Sequence, residues 1–413
     1  MPAPRRKRVP LPPTNDARVR FLTDLGRALH GYGIPAHRLE AALGNAARRL
    51  GLRAEFLSTP TSLISSFGEP GDQLVTLARV HPGDLKLDKL VALDDVVEAV
   101  YRGDLTVAGA AQRLAAIEAA PAPYPGWAAV LAFAVVSAAA SHFFGGGWRE
   151  LAAAGGLGLV GGLLGQAAGR SETLARVYAF LLALLVAFLA AVFGALVAPV
   201  ATGSVVIGSL VVLLPGLTLT LALNELATGH LVAGTARLTG SLMTFLEIGL
   251  GVGLGSTLAQ LVFGTPVEAP SGTLPVWALW TLLLVMPFAL GTLFRARGRE
   301  LPWIVAGSLV AFWGARGGIA LLGTGLGTVF GALLVGAAGN LYARLVHRPA
   351  VVVIVPSIIV LVPGSIGYRS LSFLMEKDVM SGVDNAFTAL LVGVSLVAGL
   401  LLANVLVPPR NAL

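Results

Sequence analysis

From Trp127 to Val407 the chain is a succession of apolar runs, separated by short polar or glycine-rich connections. A helix that crosses a bilayer requires about 20 consecutive apolar residues. Ten runs approach that length, at approximately 127–145, 151–168, 177–197, 203–225, 234–260, 275–294, 301–315, 319–343, 351–373 and 384–407. The boundary between the seventh and eighth is the least regular, because Arg316 and several glycines interrupt it. The expectation is a polytopic α-helical membrane protein with about ten transmembrane helices.

The segment before these runs has a different character. Met1–Pro125 holds 16 Lys/Arg and 13 Asp/Glu, against 13 and 9 over the remaining 288 residues. The whole chain is only 12% charged, where roughly 25% is usual for a soluble domain. One soluble unit therefore precedes one membrane unit. Within the soluble part, Ala17–Tyr32 and Pro35–Leu50 carry apolar residues at helical spacing, and Arg53–Ser58, Ser62–Phe67 and Gln73–Val80 read as strands separated by Pro60 and a turn over Gly68–Gly71. Helices over Leu87–Arg102 and Val107–Ala119 complete a small α+β unit. The expected division is a disordered basic tail over 1–16, the α+β domain over 17–120, a Pro-rich linker over 121–126, a first five-span half over 127–262, a loop over 263–274 and a second five-span half over 275–413. The basic cluster near the start is followed by no apolar stretch of the kind a signal peptide carries.

Charge in the connections sets the orientation. With the soluble unit inside, the inner connections hold Arg170, Arg176, Arg237, Arg295, Arg297, Arg299, Arg344, Arg348 and Arg410, and the outer ones hold Arg149, Arg316, Arg369 and Lys377. That asymmetry places both termini in the cytoplasm and the spans in the cytoplasmic membrane. The six tryptophans all follow the soluble part, mostly near the ends of apolar runs, as interfacial anchors would.

Absence of cysteine excludes disulfides, thiolate metal sites and cysteine nucleophiles. No phosphate-binding loop, HExxH or EF-hand spacing occurs, which disfavours ATP hydrolysis and metal catalysis. No cofactor, metal or nucleic-acid partner is expected. The expected partners are a small-molecule substrate and the lipid bilayer, and a homo-oligomer is compatible with the sequence.

The stretch LVVLLPGLTL puts Pro215 and Gly216, two poor helix formers, inside an apolar run. A second Pro-Gly, Pro363 and Gly364 in SIIVLVPGSIG, follows 148 residues later, and at the same offset Ser209 matches Ser357, Val212 matches Val360, Leu213 matches Leu361 and Gly234 matches Gly382. Five spans per half make the second half enter the membrane from the opposite side, so the halves are expected to be inverted repeats. Secondary transporters with that architecture bind substrate near the midplane, where interrupted helices expose backbone dipoles. The two breaks are expected to face each other and serve a polar solute; two ordinary proline kinks are the alternative.

Polar residues around these breaks are the candidate site. Thr218 and Ser365 lie close enough in sequence to supply hydroxyls, although membrane-helix hydroxyls commonly bond their own backbone. Glu247 is the only acid placed well inside a span, which suits a proton carrier, a partner for a substrate ammonium or a structural pair. Asn224 and Glu225, with Arg237, form either a gate or an interfacial anchor at the inner end, and Tyr368 and Arg369 occupy the corresponding outer end. Gly161, Gly165 and Gly169 make a small-residue face suited to close packing. The hydroxyl-rich STPTSLISS, with His30 and His37 nearby, admits a hydrolase reading, but no nucleophile signature accompanies it.

Three separated stretches carry a resemblance. YGIPAHRLEAALGNAARRLGL with FLSTPTSLISSFG, then LLPGLTLTLALNELATGHLVAGTARL, then LVPGSIGYRSLSFLMEKDVMSG, in that order, resemble the threonine/serine exporter family over most of the chain. The resemblance implies a fused protein with a cytoplasmic N-terminal domain and ten spans, exporting small metabolites such as threonine and serine at the expense of the proton motive force. Related two-chain systems imply dicarboxylate export as the alternative.

Overall fold

The computed structural model describes residues 16–69, 71–81, 83–264, 272–361 and 363–410. Apart from Asp16, the expected basic tail lies outside the described residues, as does most of the 263–274 loop.

Helices α1 (Ala17–Gly31) and α2 (Ala36–Arg49) precede an antiparallel meander of β1 (Ala54–Thr59), β2 (Ser62–Glu69) and β3 (Asp72–Arg79), followed by α3 (Leu87–Arg102) and α4 (Val107–Ala119). Strand pairing runs further than expected: Gly68 pairs with Gln73 and Glu69 with Asp72, so the turn between β2 and β3 is shorter. Positive φ at Gly68 (113) and Gly71 (93) permits that tight reversal. Along β2 the alternate residues Leu63, Ser65 and Phe67 are buried. Leu63 and Phe67 join Phe21, Leu25, Leu29, Leu39 and Leu43 in one core. That core does not stop at the N-terminal unit. It also takes in Ala296, Leu301 and Ile304 from beyond residue 290.

The remaining helices are α5 (Gly126–Phe143), α6 (Trp148–Ala168), α7 (Glu172–Leu196), α8 (Thr202–Leu210), α9 (Gly216–Ala227), α10 (Leu231–Phe263), α11 (Val276–Leu293), α12 (Leu301–Val346), α13 (Val351–Ile358), α14 (Gly364–Met375) and α15 (Val379–Leu406). Among the described residues seven are long and apolar enough to cross a membrane: α5, α6, α7, α10, α11, α12 and α15. The ten expected runs do not appear as ten continuous helices, for two reasons. The seventh and eighth both fall in α12, which is two helices divided at Gly323 (φ 80, ψ 173), not at Arg316, and packed back on each other, since a Cβ at Gly314 would stand 3.2 Å from Gly331 Cα and one at Gly331 2.9 Å from Ala311 O. The fourth and ninth runs are each cut in two at the Pro-Gly pairs.

Both cuts have the same construction. α8 ends in a tightened turn with Leu213 N–H donating to Leu210 O at 2.8 Å, and α13 ends likewise with Leu361 N–H to Ile358 O at 2.8 Å. A proline then supplies the N-cap, Pro215 at φ −78, ψ 37 and Pro363 at φ −78, ψ 16. The helices that resume, α9 and α14, are both 12 residues long. Proline is tolerated there because a helix start has no use for its missing N–H.

Close packing relies on glycine. A Cβ at Gly255 of α10 would stand 2.3 Å from the carbonyl oxygen of Leu184 in α7, and one at Gly251 would stand 2.5 Å from that of Phe180. On α6, Gly161 abuts Phe133 and Gly165 abuts the Tyr178 hydroxyl, while Gly169 is only the C-cap. Gly255→Ala is therefore expected to separate α10 from α7 and lower the melting temperature in detergent by several degrees. Gly240→Ala, with nothing within 4 Å of its added Cβ, is expected to leave it unchanged in the same thermal assay.

Candidate functional site

The two Pro-Gly breaks meet. A Cβ placed on Gly364 would lie 3.1 Å from both Cα and N of Gly216, and Pro215, Gly216, Pro363 and Gly364 are all buried. Beside this contact is a cavity of about 880 Å³. Its lining includes Val211–Pro215, Thr218, Val360, Gly364 and Ser365, apolar walls from Phe133, Phe143, Met286 and Phe312, and the charged residues Arg237, Arg316 and Asp84. At one end it is bounded by the N-terminal unit through Gly33, Pro35, Gly83, Asp84 and Leu85.

Hydroxyl groups near the breaks fall into two sets, and of those lining the cavity Thr244 and Tyr178 donate to the backbone carbonyls of Gly240 and Gly161. Thr220 donates to Gly216 O at 2.9 Å and Ser241 to Arg237 O at 2.9 Å, the usual backbone-directed bonds of membrane helices. Thr218 and Ser365, both lining the cavity, make no hydrogen bond with the described residues. The opening turns of α9 and α14 add N–H groups that lack intrahelical partners and carry the positive end of a helix dipole. An apolar pocket with a few unpaired polar groups and two helix N-termini can hold a small polar molecule with a carboxylate.

Glu247 stands apart from this arrangement. It is half-buried on α10 and is not among the residues lining the cavity, to which α10 contributes Arg237 and Thr244. Those two are seven residues apart and share a face, and at about 100° per residue Glu247 is turned away by some 60° from Thr244.

Glu225 is fully buried, and its carboxylate accepts hydrogen bonds from Arg237 Nε at 3.0 and 2.9 Å. It also accepts from the backbone N–H of Ala36 at 3.0 Å, the first residue of α2. The end of α9, the start of α10 and the N-terminal unit are thus fastened through one carboxylate. Asn224 contributes only its carbonyl, to Thr228. Tyr368 is buried in the core, and Arg369 lies over the Phe144 ring, 5.6 Å from its centroid, so these two form no matching pair. At the repeat offset, the positions equivalent to Glu225 and Arg237 are Phe373 and Asn385.

More contacts surround the Glu225 junction. The His37 and His230 rings are 5.9 Å apart, and His230 Nε2 lies 3.3 Å from Glu40. Burial, with Arg38, His230 and Arg237 nearby, lowers His37 to about 4. A second junction joins α3 to the chain beyond α12: Asp95 pairs with Arg348 at 2.8 Å, and Glu98 and Asp94 face Arg410. Burial pushes Asp94 up to about 7 against the pull of Arg410. Sequence reasoning missed this junction, although Asp94, Asp95 and Glu98 together make an acidic face on α3.

The hydroxyl-rich meander holds no nucleophile with a base. The Ser62 hydroxyl pairs with Thr59 Oγ1 at 2.7 Å, and His30 Nε2 bonds the carbonyl of Thr59 at 3.0 Å. Among the described residues no serine of the sheet bonds a histidine.

Fold and site together define a helical membrane protein with two interrupted helices meeting beside a polar-lined cavity. Residues 20–259 match the family model described as "Putative threonine/serine exporter" and residues 280–406 the model described as "Threonine/Serine exporter, ThrE". The chain belongs to the threonine/serine exporter family, a family of membrane transporters by that description. Its relatives include the pheromone-regulated membrane protein 10 of Eremothecium gossypii, 29% identical over 90% of this chain and 51% of the relative. The proteins of that name from Kluyveromyces lactis and Candida albicans are 28% and 30% identical, over 90% and 89% of this chain and 40% and 34% of the relatives. The chain thus spans about half or less of the length of these relatives. No solved structure matches it.

Two outcomes follow from the junction. Glu225→Ala leaves the half-buried Arg237 and the Ala36 N–H without their partner, a change that costs no more than the roughly 3–5 kcal/mol of breaking a fully buried pair; amide exchange at the start of α2 is expected to accelerate strongly. A histidine held below its ordinary value of 6.5 supports the docked state above that pH and loses the contribution as pH falls toward 4. Acidification from pH 7 to 5 is expected to weaken docking by about 2 kcal/mol through His37. His37→Phe should flatten that dependence when the same exchange is followed across pH.

Proposed function

We propose that this protein is a secondary active exporter of small polar metabolites, with threonine and serine as substrates, driven by the proton motive force. The observation that carries the reading is the contact of Gly364 with Gly216 beside a cavity into which the unbonded Thr218 and Ser365 face. Non-helical backbone at membrane depth is stable only where protein buries it or a cavity receives it.

The element plan supports ten spans in two inverted halves. Each interrupted pair, α8 with α9 and α13 with α14, counts as one span, and α12 counts as two, divided at Gly323. α5 and α11 are both 18 residues long, and α10 and α15 follow α9 and α14 in the same order. Residues 17–120 would be a cytoplasmic unit closing the inner mouth, with both termini cytoplasmic and the spans in the cytoplasmic membrane. Glu225, Arg237 and Ala36 would then be the contact that must open for substrate to enter. Arg316 and the two helix N-termini favour a second reading, dicarboxylate export, because all three attract carboxylates.

The test is efflux of labelled threonine from proteoliposomes with and without an imposed pH gradient. Gradient-dependent efflux is expected, abolished by Gly364→Leu and reduced at least tenfold in kcat/KM by Thr218→Ala combined with Ser365→Ala. Absence of threonine, serine and succinate flux under every gradient would overturn the transport reading.

A further inference from the structure

The polar features of the cavity are almost all of one electrical sense. Arg316 and the opening turns of α9 and α14 each present positive charge or N–H groups, while Arg237 is paired with Glu225. They recognise a carboxylate and do nothing to separate an amino acid from a dicarboxylate. Asp84 is the only carboxylate-bearing residue among the described residues that line the cavity, and it comes from the N-terminal unit.

Asp84 lies on an exposed segment, yet the backbone around it is pinned. Gly83 comes so close to the α1 end that a Cβ there would stand 1.9 Å from Gly31 O. Gly33, at φ 82, has the backbone of Leu85 3.2 Å from where its Cβ would be. Three residues after Asp84, Leu87 N–H donates to Phe294 O at 2.9 Å, tying the segment to the turn after α11. The backbone that carries the carboxylate is therefore held at the mouth by glycine-only contacts on one side and a backbone bond to the membrane unit on the other.

Its charge is also uncompensated. Lys86 lays its ammonium over the Tyr32 ring, 5.5 Å from the centroid, and Asp84 has no ion-pair partner among the described residues. Arg237 is already neutralised by Glu225. Arg316 has no ion-pair partner among the described residues, but it is fifteen residues along α12 from Leu301, which packs in the core of the N-terminal unit. That is about 22 Å of helix, too far for it to neutralise the mouth.

We propose that Asp84 is the specificity-determining residue of the cavity, its carboxylate binding the ammonium group of a zwitterionic amino acid and repelling dicarboxylates. The role rests on the transport reading of the same cavity. An unpaired charge at the opening of a cleft with apolar walls selects by sign, because those walls focus its field into the opening. An amino acid meets Asp84 with its ammonium at the mouth, and the helix N-termini with its carboxylate further in. A dicarboxylate meets the second feature but is opposed by the first. Selection between the two substrate classes thus lies in the soluble unit, outside the spans.

Asp84→Asn and Asp84→Glu in the full-length protein test this, with threonine, succinate and 3-hydroxybutyrate, which is threonine without its amino group. Calorimetric binding in detergent accompanies flux in proteoliposomes. Asp84→Asn is expected to raise the threonine KM and Kd at least tenfold, to leave succinate unweakened and to narrow the preference for threonine over 3-hydroxybutyrate by a similar factor. Asp84→Glu should retain most of that preference. An unchanged threonine constant in Asp84→Asn, or equal losses for threonine and succinate, would overturn the role while leaving transport intact. Wild-type protein that neither binds nor moves any of the three would remove the transport reading, and the role with it.

Discussion

The constraint on which the rest of this structure depends is that backbone N–H and C=O groups in an apolar medium need partners. A helix satisfies that need by itself; an interruption does not. Two interruptions occur, each a tightened turn, a proline cap and a twelve-residue helix that resumes at glycine. Neither would be stable facing lipid. Their mutual contact through Gly216 and Gly364 is the local solution, and the cavity beside them is its by-product. The same glycines that weaken a helix let two backbones approach closely enough to share burial.

One junction of the N-terminal unit is organised around a single carboxylate. Glu225 ends the stretch that began at the first break, so the helix carrying the cavity's hydroxyl Thr218 is continuous with the residue that holds α2. The N-terminal unit is fused to the membrane unit by core packing as well, since Leu301 and Ile304 belong to its apolar cluster and Val91 packs with Tyr342, Val352 and Val353. Motion of one unit relative to the other must disturb an ion pair, a helix N-terminus and apolar contact together.

Much of this was legible in the sequence because it rests on local rules. Apolar run length gave the membrane helices, period-two and helical spacing gave the soluble elements, and the repeated Pro-Gly pair located the breaks. The pairing of Glu225 with Arg237 was also accessible, since twelve residues and one turn bring them together. What escaped was non-local. Arg348 and Arg410 read as loop charges that fix orientation, and nothing in their neighbourhood names Asp95 or Glu98 as partners. Glu247 drew attention for its apolar surroundings, but run length says nothing about which way a helix is rotated. Asp84 was invisible for the opposite reason, lying in a polar segment far along the chain from the breaks whose cavity it borders.

The Glu225 and Arg237 pair occurs once, and at the repeat offset its place is taken by Phe373 and Asn385. Displacing α9 along its axis therefore separates a buried charge from its partner, whereas displacing α14 through Phe373 separates none. The two interrupted runs resist the same movement unequally, and the stiffer of them is the one tied to α2.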